Sequence, residues 1–101
     1  AAEAILRGAR GVISVTANVA PRAIHELCQA ALAGDRERVA SLDQTLQGLH
    51  KALFLESNPI PVKWAVQQLG LIGSGIRLPL TPLSEALRPQ VRAAMESAGI
   101  L

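Results

Sequence analysis

The sequence predicts a mostly helical chain that contains one strand-to-helix unit of an α/β protein. The strand is predicted at residues 11–16, a short β-branched run. The chain then passes Asn18 and reaches Pro21, a residue suited to the first turn of a helix. Most of the remaining chain carries apolar residues at helical spacing, interrupted by glycine and proline. A parallel strand needs neighbours, and no second run of similar quality is present. We therefore expect this chain to be part of a larger protein.

Composition and charge exclude several classes of function. The 101 residues are 50% hydrophobic and carry a net charge of +2, with the basic residues scattered among acids and only two aromatic residues. This composition argues against nucleic-acid binding, which favours basic clusters and stacking aromatic side chains. No apolar run approaches the ~20 residues that span a bilayer, and the first residues lack the charged region and apolar core typical of a signal peptide. We expect a cytoplasmic protein, in which the single Cys28 is a small buried hydrophobe.

The first helices are predicted from periodicity and from glycine. Residues 1–8 form the end of a helix that stops at Gly8, and a tight loop then leads to the strand. After Pro21 a helix runs to residue 33 and ends at Gly34. Its predicted apolar face consists of Ile24, Leu27, Cys28, Ala31 and Leu32.

The second half of the chain is predicted to contain three more helices. Asp35 caps a long one, whose spacing of three and four residues is typical of helix-on-helix packing. Two prolines near residue 60 break it, a helix follows at 62–69, and residues 71–80 form an ordered connection. The last helix begins near Arg88 and stops at Gly99. The predicted buried positions are Val39, Leu42, Leu46, Leu49 and Leu53 in the long helix, and Val91, Ala94, Met95 and Ala98 in the last.

Several collinear segments resemble the carboxyl-terminal part of the dihydrodipicolinate synthase family. They are GVISVTANVAP at 11–21, LHKALF at 49–54, ESNPIPVKWA at 56–65, GLIG at 70–73 and IRLPLTP at 76–82. The resemblance implies a (β/α)₈ TIM barrel followed by a small helical bundle. Residues 1–34 would then be the end of the barrel, with the end of helix 7, strand 8 at 11–16 and helix 8 at 21–33. Residues 35–101 would be the C-terminal helical domain.

The resemblance also implies an activity. The family condenses pyruvate with aspartate semialdehyde through a Schiff base on a lysine, in the biosynthesis of lysine and diaminopimelate, without a cofactor. Its reactive lysine, tyrosine proton relay and carboxylate-binding arginine lie upstream of the matching segments, so this chain alone is predicted to hold no catalytic residue and to be inactive. The full enzyme is commonly a homotetramer. The one substrate-binding residue that the family pattern places here is Ile13, whose main-chain carbonyl approaches the pyruvate-lysine adduct.

The other chemically capable residues are predicted to be structural. Lys51 and Lys63 lie on helices, away from the end of a barrel strand where a Schiff-base lysine is needed, and the chain has no tyrosine. His25 and His50 lack partners at metal-ligand spacing, so no metal site is predicted. Ser14 and Thr16 lack a nearby base and are expected to satisfy local hydrogen bonds, while the glycines of 70–75 are only a weak nucleotide signal.

Two alternatives remain open from the sequence. The apolar composition and the heptad-like spacing from Val39 to Leu53 also fit a noncatalytic helical oligomerisation module. The parent protein can also be another pyruvate-dependent aldolase, such as N-acetylneuraminate lyase. In either case, a strand without neighbours has unpaired main-chain groups, so we expect the isolated chain to associate.

Overall fold

Five α-helices and two 3₁₀ helices form the fold in the computed structural model, which describes residues 2–101. The α-helices are α1 (Ala2–Leu6), α2 (Pro21–Leu32), α3 (Arg36–Ala52), α4 (Ile60–Gln68) and α5 (Arg88–Ser97), and the 3₁₀ helices are Thr16–Asn18 and Glu85–Leu87. The prediction of a mostly helical chain is confirmed. Ala1, which the sequence places in the first helix, lies outside the described residues. None of the helices from residue 2 onward has the length and apolar character required to cross a membrane.

The predicted strand at residues 11–16 is not a strand in this structure. Residues 11–14 have no regular secondary structure. Thr16 already begins a 3₁₀ helix, so the predicted end of the strand at residue 16 was also too late. Within residues 2–101 no main chain pairs with Gly11, Val12, Ile13 or Ser14 through a backbone hydrogen bond. A strand exists only when a neighbour supplies its ladder of hydrogen bonds, and the described part of the chain supplies none.

Helix boundaries follow the local signals in the sequence closely. The side chain of Asp35 accepts a hydrogen bond from the main-chain N–H of Arg38 at 3.1 Å, which confirms the predicted cap of α3. Pro61 lies in the first turn of α4, which begins at Ile60, two residues before the predicted start. The predicted helix-stopping glycines Gly8 (116°), Gly34 (73°) and Gly99 (77°) all have positive φ, a conformation that other residues rarely adopt, and so does Gly70 (77°) after α4.

Helix α3 lies at the centre of a single apolar core. It contacts α1, α2 and α5, and the core is continuous across residue 34, where the sequence divides the chain. Side chains of the predicted α3 stripe fill it, with Val39, Leu46 and Leu49 buried, Leu53 buried just beyond the helix end, and Leu42 half-buried. This face therefore supplies three of the largest fully buried side chains of the core, Leu46, Leu49 and Leu53.

Four other predicted core positions need correction. Leu32, at the end of α2, is 54% exposed, because Ala30 and Ala31 form the buried face of α2 at this end. Cys28 is only half-buried. In α5 the buried side chains are Val91 and Met95, whereas Ala94 and Ala98 are half-buried at the flanks of that face. Residues 71–80 form the predicted connection without regular structure.

Candidate functional site

A cleft of about 680 Å³ lies between α1, the 12–16 segment, α2 and α3. Ile13 lines this cleft, with its side chain fully exposed. Polar side chains line the same cleft from α3 and from the segment around Ser14, while α1 and α2 contribute mostly aliphatic side chains. The polar members are Glu3, Ser14, Thr16, Arg36, Asp43, Gln47 and His50. The predicted substrate-binding residue is thus placed beside a polar face of α3.

Thr16, His50 and Asp43 form a continuous polar chain at this cleft. Oγ1 of Thr16 lies 2.7 Å from Nδ1 of His50, and Nε2 of His50 lies 3.7 Å from Oδ1 of Asp43. Thr16 is only 2% exposed and is the one polar residue that is buried among residues 2–101. The prediction that Thr16 lacks a nearby base was therefore wrong.

A sequence pattern could have shown part of this arrangement. Asp43, Gln47 and His50 are separated by four and three residues, so they share one face of α3. Nε2 of Gln47 donates to Oδ2 of Asp43 at 2.6 Å, which fixes the carboxylate on that face. Thr16 is 34 positions before His50, and no local periodicity indicates that contact.

The chain turns sharply immediately after Ile13. Oγ of Ser14 accepts a hydrogen bond from the main-chain N–H of Ala17 at 3.2 Å, and Nδ2 of Asn18 donates to the carbonyl of Val15 at 3.0 Å. The carbonyl of Thr16 accepts from the main-chain N–H groups of residues 19 and 20. These bonds make residues 14–20, which we call the corner, a structure that needs no partner strand.

Lys51, Lys63 and His25 do not line this cleft. Lys51 is exposed in the last turn of α3, and Lys63 is half-buried on α4 beside a second cleft of about 440 Å³. His25 is exposed on α2. From residue 2 to residue 101, no three His, Cys, Asp or Glu side chains are grouped closely enough to hold a metal ion.

The carboxyl group of Glu56 accepts two hydrogen bonds that shift its pKa. Its two oxygens accept hydrogen bonds from the main-chain N–H and the hydroxyl of Ser84, both at 2.9 Å. These bonds, the main-chain one most strongly, lower the pKa of Glu56 below its ordinary value of 4.5, because they stabilise the ionised form. The pair links the segment after α3 to the residue before the second 3₁₀ helix.

Residues 1–98 match the sequence model of the Dihydrodipicolinate synthetase family. The chain belongs to this family. A 4-hydroxy-tetrahydrodipicolinate synthase from Aromatoleum aromaticum is 63% identical over 100 residues, which are 99% of this chain and 34% of that protein. This dihydrodipicolinate synthetase family member therefore spans about a third of the length of the curated relatives it matches. The resemblance predicted from the sequence is confirmed.

Solved structures agree with the family assignment. Dihydrodipicolinate synthase from Acinetobacter baumannii, in complex with pyruvate, matches all of this chain with 53% identity and a TM-score of 0.97, over 35% of its own length. A monomeric dihydrodipicolinate synthase variant matches 99% of this chain with 41% identity and a TM-score of 0.94, over 33% of its length. The arrangement of helices in this dihydrodipicolinate synthetase family member is thus the one found in synthase structures.

Proposed function

We propose that this chain is the carboxyl-terminal part of a Schiff-base-forming lyase that condenses pyruvate with aspartate semialdehyde, in the biosynthesis of lysine and diaminopimelate. The observation that carries the proposal is that all of this chain matches part of the synthase from Acinetobacter baumannii, whose structure contains pyruvate. Because the chain spans about a third of its relatives, the activity is proposed for the full-length protein and not for these 101 residues alone.

The exposed segment before the corner supports the placement of residues 11–14 in a sheet that lies mostly outside this chain. In this proposal residues 1–34 are the end of a (β/α)₈ barrel and residues 35–101 are a helical domain. Gly11 to Ser14 make no backbone hydrogen bonds within residues 2–101 and leave the side chain of Ile13 fully exposed. Strands outside this chain would pair with this segment, and the carbonyl of Ile13 would then face the pyruvate-lysine adduct.

The positions of the two lysines support the proposal that the 101-residue chain alone is inactive. A lysine that forms a Schiff base must lose its proton readily, which requires burial or a neighbouring cation. Lys51 is exposed at the end of α3, and Lys63 lies on α4 away from the Ile13 cleft. With no tyrosine in the sequence to relay a proton, the chemistry must be supplied by residues outside these 101.

Borohydride trapping tests this proposal directly. In the first step the lysine amine attacks the ketone of pyruvate, and an imine forms with loss of water. Borohydride then reduces the imine to a stable secondary amine, whose mass exceeds that of the protein by pyruvic acid minus one oxygen atom. We expect this adduct on the full-length protein and none on the 101-residue chain.

A double variant controls for the two lysines of this chain. Lys51→Arg with Lys63→Arg in the full-length protein retains the two positive charges but removes both amines, and the variant should still be trapped and should still condense pyruvate with aspartate semialdehyde. A full-length protein that forms no pyruvate adduct contradicts the proposed function. Trapping on the isolated chain contradicts the claim that the reactive lysine lies outside it.

We further propose that the full-length enzyme is cytoplasmic and homo-oligomeric. Support for an oligomer comes from the apolar composition of the chain and from exposed Phe54, Leu71 and Leu78. Because one matched synthase variant is monomeric, the oligomeric state needs its own measurement. Sedimentation equilibrium of the full-length protein should give a mass above that of one chain, and a monomer at all concentrations contradicts this part.

A further inference from the structure

Thr16 and His50 connect the segment that carries Ile13 to the last turn of α3. The Oγ1 to Nδ1 distance of 2.7 Å is short, and Thr16 is 2% exposed, so little water competes for this hydrogen bond. It is also the only side chain to side chain hydrogen bond within residues 2–101 that joins the corner to another element. The position of the corner is therefore tied to α3 by one polar contact.

The carboxylate of Asp43 favours one direction for this hydrogen bond. Oδ1 of Asp43 lies 3.7 Å from Nε2 of His50, and a carboxylate on that side favours the tautomer with its hydrogen on Nε2. Nδ1 then accepts, and the hydroxyl of Thr16 donates to it. Because Gln47 holds Asp43 in turn, the ring is oriented from both sides.

A nucleophilic role for Thr16 does not fit this geometry. A hydroxyl, an imidazole and a carboxylate in sequence resemble the groups of a hydrolytic triad. However, a nucleophile must reach its substrate, and Thr16 is almost completely buried. The hydroxyl is enclosed by the corner and by His50. Its contact with the ring can therefore hold the main chain of the corner in place, but the hydroxyl cannot reach a carbonyl carbon to attack it.

We propose that His50, acting through Thr16, is a positioning residue that fixes the main-chain carbonyl of Ile13 against the substrate adduct. This inference rests on the proposed function. Ile13 is three residues before Thr16, and within residues 2–101 its own main chain has no backbone hydrogen bond. The corner therefore sets the direction of the chain at this end. Misplacement of a reacting group by about 1 Å can cost about 100-fold in rate, so a modest shift at Ile13 would be measurable.

Thr16→Val in the full-length protein is the most direct test. Valine has nearly the same shape as threonine but no hydroxyl, so the contact with His50 is lost with little change in volume. We expect the KM for pyruvate to rise, or the rate of borohydride-trapped adduct formation to fall, by about tenfold. Thr16→Ser retains the hydroxyl and should remain within about threefold of the parent. Thr45→Val is the matched control, since the Thr45 hydroxyl only donates to the carbonyl of Leu42 on the exposed side of α3.

His50→Gln tests the other partner and covers the case in which Thr16→Val fails to fold. His25→Gln is its control, because His25 is exposed and makes no side-chain hydrogen bond within residues 2–101. If the two residues act through one hydrogen bond, the Thr16→Val and His50→Gln effects must be non-additive, and the double variant should be no slower than the worse single variant.

The outcomes separate this inference from the proposed function. Assays are run below the onset of unfolding, with circular dichroism showing native helix content, so a change in pyruvate KM reports on positioning. If the parent protein forms the pyruvate adduct and the Thr16→Val and His50→Gln variants match it in pyruvate KM and in trapping rate, the positioning role alone is overturned. Fully additive effects also overturn it. A parent that forms no adduct overturns the proposed function, and the positioning role with it.

Discussion

Leu49 is the side chain whose removal should weaken this fold most clearly. It is 0% exposed and lies on α3, the helix that contacts α1, α2 and α5. Leu49→Ala removes three carbon groups, which at about 0.8 kcal/mol each give about 2.4 kcal/mol of lost transfer free energy. The cavity that remains adds to this loss, since the packed helices relax only partly. We expect a total loss of about 3 to 5 kcal/mol in the free energy of unfolding.

Thermal unfolding of the full-length protein, followed by circular dichroism, measures the effect. For proteins of this size 1 kcal/mol corresponds to about 2 °C or more in the midpoint, so Leu49→Ala should lower it by at least about 5 °C. Gln44→Ala is the matched control on the same helix. Gln44 is exposed, and its replacement should change stability by no more than about 0.5 kcal/mol.

A small effect at Leu49 would refute the packing described here. If the Leu49→Ala and Gln44→Ala midpoints both lay within about 1 °C of the wild-type midpoint, α3 could not be the element around which the core is built. The same result would also remove the basis for using α3 as the fixed side of the contact with the corner. Equal and large losses at both positions would instead indicate that Gln44 is buried in the full-length protein.

Two further predictions concern capping and pH. Asp35→Ala should cost about 1 kcal/mol because the N–H of Arg38 loses its acceptor, whereas Asp35→Asn retains an acceptor and should cost less, as measured by the unfolding midpoint. The pKa of Glu56 is lowered in the folded state, so its contribution to stability is present above about pH 4.5 and is lost as the pH falls through the lower folded-state value. The advantage of the wild type over Glu56→Gln in unfolding midpoint should therefore shrink below about pH 4.5, and an advantage that grew on acidification would contradict the pairing with Ser84.

Helix ends were predictable because their signals are local. The Asp35 cap involves residues three positions apart, and the stop at Gly34 depends on the conformation of a single residue. Likewise, the stripe from Val39 to Leu53 was predictable because all of its residues lie on one helical face. Leu32 shows the limit of this reasoning, because its spacing placed it on the apolar face while the neighbouring helices left it 54% exposed.

The site was predicted less completely, for two physical reasons. The role of Ile13 came from the family resemblance and not from any pattern of spacing, and it stays a prediction. The contact between Thr16 and His50 joins residues 34 positions apart, so it depends on how α3 packs against the corner. Periodicity reports which face of a helix is buried, but it does not report which side chain on another element meets that face.

The structure also explains why the corner is formed while the strand before it is not. Residues 14–20 satisfy their polar groups internally, through Ser14, Asn18 and the carbonyl of Thr16, and the contact with His50 attaches them to a helix whose core is already buried. Residues 11–14 have no such partners within residues 2–101 and would gain theirs only from neighbouring strands. Within residues 2–101 the corner is therefore held in place without a sheet. If residues 11–14 pair with strands outside this chain, as proposed, the hydrogen bond from Thr16 to His50 already holds the corner at their end, which is why the positioning role is proposed for His50.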